Sequence, residues 1–165
     1  PQTYVAVAIG AQFATKRMPT DLLIELIDQI KAPVLLLGGK EDEQTAINIM
    51  TNCTKKEIRS AVGATNIHES AWLVQNAVCL VTHDTGLMHI AANFELPLFV
   101  IWGNTTRDFG MYPYRLEQQG VQHFEVSNLA CRPCSKIGSQ QCPKGHFACM
   151  RNQDVDQLAA KINAI

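Results

Sequence analysis

Short apolar runs of β type alternate with segments of helical period along most of this chain, and that alternation leads to a parallel α/β sheet. Tyr4 to Ile9 reads as a first strand ended by Gly10. Met18-Pro19-Thr20 introduces a helix in which Leu22, Leu23, Leu26, Ile27 and Ile30 recur at helical spacing, with Asp21 and Glu25 suited to its early turns. Pro33 to Leu37 is a second, fully apolar strand, closed by Gly38-Gly39, and Glu41 to Met50 forms a second helix with an acidic start. Ile58 to Val62 is a weaker third strand. Ser70 to Ala77 is a short helix expected to turn Trp72 and Leu73 inward. Val78 to Thr82, a helix over Thr85 to Asn93, and Leu98 to Trp102 continue the pattern. Beyond Trp102 the alternation fails: residues 103–152 are loop-rich, with one strand at His123 to Val126 and a cysteine-rich excursion at about 128–152. A last helix, Asp154 to Ile165, carries the apolar stripe Val155, Leu158, Ala159, Ile162. No repeat or low-complexity linker interrupts the chain, so residues 1–165 are expected to form one Rossmann-like, doubly wound α/β domain.

A length of 165 residues suffices to bury a core, and 47% hydrophobic with 18% charged residues is ordinary globular composition. A formal net charge of -1 argues against a nucleic-acid-binding surface. No apolar run approaches the roughly 20 residues that span a bilayer. The chain opens at Pro1 directly ahead of a strand, the start expected of a processed protein or of a piece of a longer one.

The most informative stretch runs from Leu80 to Gly103. It is a buried strand that delivers Asp84, Thr85 and Gly86 to its C-terminal end, where the next helix begins, and ligands bind along that edge of an open parallel sheet. Backbone N–H groups at a helix start favour an anion such as a diphosphate. Gly86 admits a phosphate close to the backbone, the Thr85 hydroxyl adds a hydrogen bond, and His89 lies about one turn along. Taken alone, Asp-Thr-Gly reads equally as an ordinary helix cap.

The full run resembles the C-terminal signature of glycosyltransferase family nine, the heptosyltransferases of lipopolysaccharide core assembly. The matching features are Asp84-Thr85-Gly86, His89, Ala91-Ala92, Pro97 and Gly103-Asn104-Thr105-Thr106. Upstream, Thr15-Lys16-Arg17-Met18-Pro19 matches the family's first loop, and Gly38-Gly39-Lys40-Glu41-Asp42-Glu43 its Gly-rich turn with acidic residues. The resemblance implies the C-terminal, donor-binding domain of a GT-B enzyme, with an N-terminal acceptor domain, carrying the general base, absent from this chain.

It also implies the roles. The reaction would be an inverting displacement at the anomeric carbon of a nucleotide-diphosphate-sugar, ADP-heptose by analogy, with the nucleoside diphosphate leaving. Lys16, Thr85, Gly86, Leu87 and His89 would meet the diphosphate, Asp84 would mainly cap the helix and hold the loop, and Glu41 or Glu43 would accept hydrogen bonds from the nucleoside. No catalytic residue and no cofactor are expected within the chain. A lipopolysaccharide-type acceptor would bind the missing domain, in the cytoplasm at the inner face of the bacterial inner membrane. The first loop, Gly10-Ala11-Gln12-Phe13-Ala14, lacks the small hydroxyl residues of some members, which leaves the donor sugar open.

Cys131, Cys134, Cys142 and Cys149 crowd into one short stretch. Three readings stay open for them: a structural zinc site, begun by the Cys131-x-x-Cys134 pair, two disulfides, or unpaired thiols. Two rival functions also stand beside the transferase, a GT-B-like nucleotide-sugar epimerase fragment and a non-catalytic, zinc-stabilised interaction module. The module would leave Lys16 and the Asp84–His89 run unexplained.

Overall fold

The computed structural model describes residues 3–115 and 119–165. Six strands, β1 (Val5–Ala8), β2 (Val34–Leu37), β3 (Ile58–Ser60), β4 (Cys79–His83), β5 (Leu98–Trp102) and β6 (Val121–Glu125), form one sheet in the order β3-β2-β1-β4-β5-β6. Every pairing is parallel, with Val5 opposite Val34 and Cys79, and Leu98 opposite Val121. The helices are α1 (Thr20–Gln29), α2 (Glu43–Asn52), α3 (Ile67–Gln75), α4 (Gly86–Ala91), α5 (Ala148–Arg151) and α6 (Val155–Ile162).

Strands β1, β2 and β5 are apolar throughout because helices cover both faces of the sheet, so each face claims alternate residues. Val5, Val7, Val34, Leu36, Val81, Phe99 and Ile101 pack on one side with residues of α1 and α6. Ala6, Ala8, Leu37, Leu80, Leu98, Val100 and Trp102 pack on the other with residues of α3 and α4. The apolar stripe of α6 closes on α1, as the spacing of Val155, Leu158, Ala159 and Ile162 requires.

Several boundaries differ from the expected ones, for physical reasons. The helix expected over 70–77 starts earlier, because Asn66 accepts from the His68 and Glu69 amides while the Glu69 carboxylate returns to the Asn66 amide. Trp72 does not turn inward: it is 61% exposed, while its neighbours Leu73 and Val74 take the sheet-facing positions. Adjacent residues lie about 100° apart around a helix, so the stripe centred on Leu73 and Val74 leaves Trp72 at the edge. The weak third strand shortens to an edge of three residues. The acidic segment opens with a 3-10 turn, Lys40–Asp42, ahead of α2. Helix α4 is shorter than the expected 85–93 span, and β6 begins two residues earlier than expected, at Val121. The excursion holds the short helix α5, which the pattern does not predict. Among the described residues no helix is long and apolar enough to cross a membrane.

Candidate functional site

The strand order reverses between β1 and β4, and the crevice outside their C-terminal ends is where an open α/β sheet binds ligands. A cavity of about 410 Å³ occupies that place. Gly10, Ala11 and Gln12 after β1, Gly38 and Gly39 after β2, Thr65 to Ile67 with Ser70 at the start of α3, and Thr85 to Leu87 at the start of α4 bound it.

Asp42 ties the first two of these walls together. It is 3% exposed, its Oδ2 accepts the Gly39 amide at 3.0 Å, and its carboxylate lies against Gly10 and Gly38. A Cβ added at Gly10 would fall 1.9 Å from that Oδ2, so no other residue fits there with Asp42 in place. Burial pushes the Asp42 carboxyl above its usual range, against the Gly39 hydrogen bond and the Arg17 charge, with Glu41 adding to the rise. Of the two acidic residues expected at the nucleoside, Glu41 is exposed and bounds the cavity. Glu43 lies off it, its carboxylate against Gly63. The buried acid is the residue between them, which sequence spacing does not single out because its burial depends on Gly10, brought against it by the fold.

Lys16 ends a 3-10 turn, Ala14–Lys16, in the loop after β1. Its Nζ lies 2.7 Å from Asp84 Oδ2, with both side chains nearly buried. The Thr105 hydroxyl donates to the same carboxylate oxygen at 3.0 Å. Asp84 therefore does not cap α4, as the sequence reading expects. The N-cap position belongs to Thr85, which makes no side-chain cap bond and stands 3.3 Å from the Thr82 hydroxyl. The carboxylate is drawn instead to the nearest buried cation, since an unpaired charge there would be costly. Gly86 is exposed, with open space where a Cβ would stand. His89 is exposed on α4 and is not among the residues bounding the cavity.

The cysteine segment braces this region. Thr15 and Ser139 exchange three hydrogen bonds, from the Thr15 amide and hydroxyl to the Ser139 carbonyl (3.0 and 2.9 Å) and from the Ser139 amide to the Thr15 hydroxyl (2.8 Å). Gly138 lies against the Phe13 ring. Arg132 donates to the carbonyls of Gly103 and Thr105 and pairs with Glu125 at 2.7 Å. Burial pushes Glu125 up, but Arg132 and Arg107 outweigh it and hold its carboxyl below the usual range. All six cysteines are free thiols. Among the described residues, no group of three or more His, Cys, Asp or Glu is arranged to hold a metal ion, and Cys131 Sγ lies 3.8 Å from His146 Nε2. Burial raises the Cys134 thiol and pushes Cys149 to about 11. Cys142 is lowered, because backbone N–H groups of Phe147, Lys144, Gly145 and His146 outweigh its slight burial.

Residues 1–143 match the family model of glycosyltransferase family 9 (heptosyltransferase). The chain is 36% identical over 109 residues to lipooligosaccharide heptosyltransferase 2 of Haemophilus influenzae, covering 61% of this chain and 31% of that protein. It is 30% identical over 107 residues to lipopolysaccharide heptosyltransferase 2 of Salmonella typhimurium, with the same coverage of 61% and 31%. In fold it is similar to the E. coli ADP-heptose lps heptosyltransferase II, with TM-score 0.78, 20% identity, and coverage of 99% of this chain and 46% of that one. It is similar too to the iron-containing heptosyltransferase TibC in complex with ADP-D-beta-D-heptose, with TM-score 0.68, 16% identity, and coverage of 99% and 45%. The chain spans less than half the length of these proteins. On the match over residues 1–143, the chain belongs to glycosyltransferase family 9.

Proposed function

We propose that this chain binds the nucleoside diphosphate of a nucleotide-sugar donor, ADP-heptose in the first instance, as the C-terminal donor half of an inverting glycosyltransferase of lipopolysaccharide core assembly. The observation that carries the reading is the cavity at the β1/β4 switch, walled by Gly10–Gln12, Gly38-Gly39 and Thr85–Leu87. Four glycines, Gly10, Gly38, Gly39 and Gly86, let a ligand approach the backbone there. The E. coli ADP-heptose lps heptosyltransferase II and TibC in complex with ADP-D-beta-D-heptose, whose folds match, have donors of this class.

In this reading the diphosphate lies over Thr85, Gly86 and Leu87 and meets their backbone N–H groups and the Thr85 hydroxyl. Glu41 faces the nucleoside from the opposite wall. Lys16 is held by Asp84 before the donor arrives and turns its ammonium to the phosphate when it does. As the glycosidic bond breaks, negative charge grows on the leaving diphosphate, so a cation fixed beside it stabilises the transition state more than the ground state. Asp84, still held by Thr105, keeps Lys16 aligned, and His89 reaches the phosphate from the open side of α4. The acceptor and the base that deprotonates it belong to a second domain, and the reaction runs at the cytoplasmic face of the inner membrane. No metal enters the reaction, Lys16 and the backbone donors meeting the charge.

An amide chemical-shift titration with ADP tests the placement. Saturable shifts should cluster at residues 10–12, 38–39 and 85–87. Shifts centred instead on Arg107, Tyr112 and His123, which line a separate cavity of about 730 Å³, would move the site and overturn the reading.

A further inference from the structure

We propose that His83 is a positioning residue for donor binding: its buried, neutral imidazole locks the loop that presents Lys16. The proposal rests on the donor-site reading above. His83 is the last residue of β4, 1% exposed, one residue before the carboxylate that receives Lys16. Its Nε2 accepts the Met18 backbone N–H at 3.0 Å, a buried bond across 65 residues of sequence. A ring nitrogen that accepts carries no proton, so the remaining proton sits on Nδ1. That Nδ1 has no hydrogen-bond partner among the described residues, although the Gly10 carbonyl acts on the ring.

His83 thus stands between the two ends of the first loop, Gly10 and Met18. Within it, the Arg17 side chain closes back on the Ala11 carbonyl at 2.6 Å and Thr15 is fastened to Ser139. Lys16 lies between two fixed residues, Thr15 held from the cysteine segment and Met18 held by His83. Apolar burial alone would favour a Leu at a fully buried strand end. A histidine there is costlier than a Leu, because its ring nitrogens need polar partners in a buried place. What the imidazole does there that a Leu could not is accept the Met18 N–H.

The test is calorimetric ADP binding by this chain as wild type, His83→Leu, His83→Gln, Lys16→Ala and Leu158→Ala, with a melting temperature for each. Leu keeps the volume of the ring but accepts nothing, whereas the Gln amide oxygen can take the place of Nε2. Leu158, buried on the α1/α6 side of the sheet, is the control for stability loss without loop damage. The expected result is ADP affinity about tenfold weaker in His83→Leu, largely restored in His83→Gln, and unchanged in Leu158→Ala despite a lower melting temperature. Wild-type affinity in His83→Leu, or no recovery in His83→Gln, overturns the proposal while loss in Lys16→Ala leaves the donor site standing. Equal weakening in His83→Leu and Leu158→Ala overturns it too, as a mere stability effect. No ADP binding by the wild type, or full binding by Lys16→Ala, overturns the donor-site reading and this proposal with it.

Discussion

The ammonium of Lys16 and the carboxylate of Asp84 lie 2.7 Å apart at the C-terminal edge of the sheet, with the Thr105 hydroxyl on the same oxygen. This pair joins the loop after β1 to the end of β4, the two elements between which the strand order reverses. A loop lysine is normally solvated. Here it is nearly buried and held by Asp84, the residue before Thr85 of the cavity wall, although neither Lys16 nor Asp84 itself lines the cavity.

Breaking the pair from one side strands a buried charge. Lys16→Met should cost about 3 kcal/mol of unfolding free energy, because Asp84 would keep only its Thr105 bond. The double substitution Lys16→Met with Asp84→Leu should cost less than the sum of the singles by at least about 1 kcal/mol. Urea unfolding of the four proteins reads this out. Additive costs would show that the two groups do not interact.

Gly10→Ala should destabilise the chain by about 1–3 kcal/mol, since the new methyl group meets the Asp42 carboxylate. Asp42→Ala introduced alongside it should restore much of the loss by removing the clash. If Gly10→Ala melts like the wild type, the packing of Asp42 on Gly10 is wrong.

Most of the sheet could be read from the sequence. Val5 to Ala8, Val34 to Leu37 and Leu98 to Trp102 are apolar at every position, which a parallel strand buried on both faces requires and few other elements tolerate. Lys16 and the Asp84–Gly86 run are singled out by the family resemblance, since locally they read as a loop lysine and a helix cap, and the structure joins Lys16 to Asp84. Three features could not be read from the sequence. Asp42 acquires its role partly from Gly10 in a distant loop, and His83 from the Met18 amide, contacts that no local pattern encodes. Trp72 and Leu73 are neighbours on one turn, and hydrophobicity alone does not say which of them faces the sheet.

That last distinction is directly testable. Trp72→Gln should change stability by no more than about 0.5 kcal/mol, as for other exposed sites. Trp102→Ala, at a residue with no exposure and with its indole N–H on His123, should cost about 3–5 kcal/mol. A large loss at Trp72 would contradict the orientation of α3.

Acid should destabilise the fold through two histidines that are held neutral. Burial pushes His83 down to about 4, with Arg17 adding and the Gly10 carbonyl opposing. Burial also pushes His123 to about 4, with Arg107 adding and Glu125 opposing. The unfolded chain takes up these protons near the ordinary value of about 6.5 and the folded chain only near 4, so stability falls as pH drops through that window. Asp42 acts in the opposite sense at the lower end, because its raised carboxyl favours the protonated folded state. Urea unfolding at several pH values between 7 and 4 should give a slope that flattens in His83→Leu. An unchanged slope would mean that His83 is not held neutral.

Calorimetric titration of this chain with ADP, UDP and GDP tests most directly whether the cavity at the β1/β4 switch holds a nucleoside diphosphate. The account predicts saturable binding of ADP in preference to the other two, weakened at least about tenfold by Lys16→Ala and to a smaller degree by His89→Ala. ADP binding that survives Lys16→Ala unchanged would contradict it.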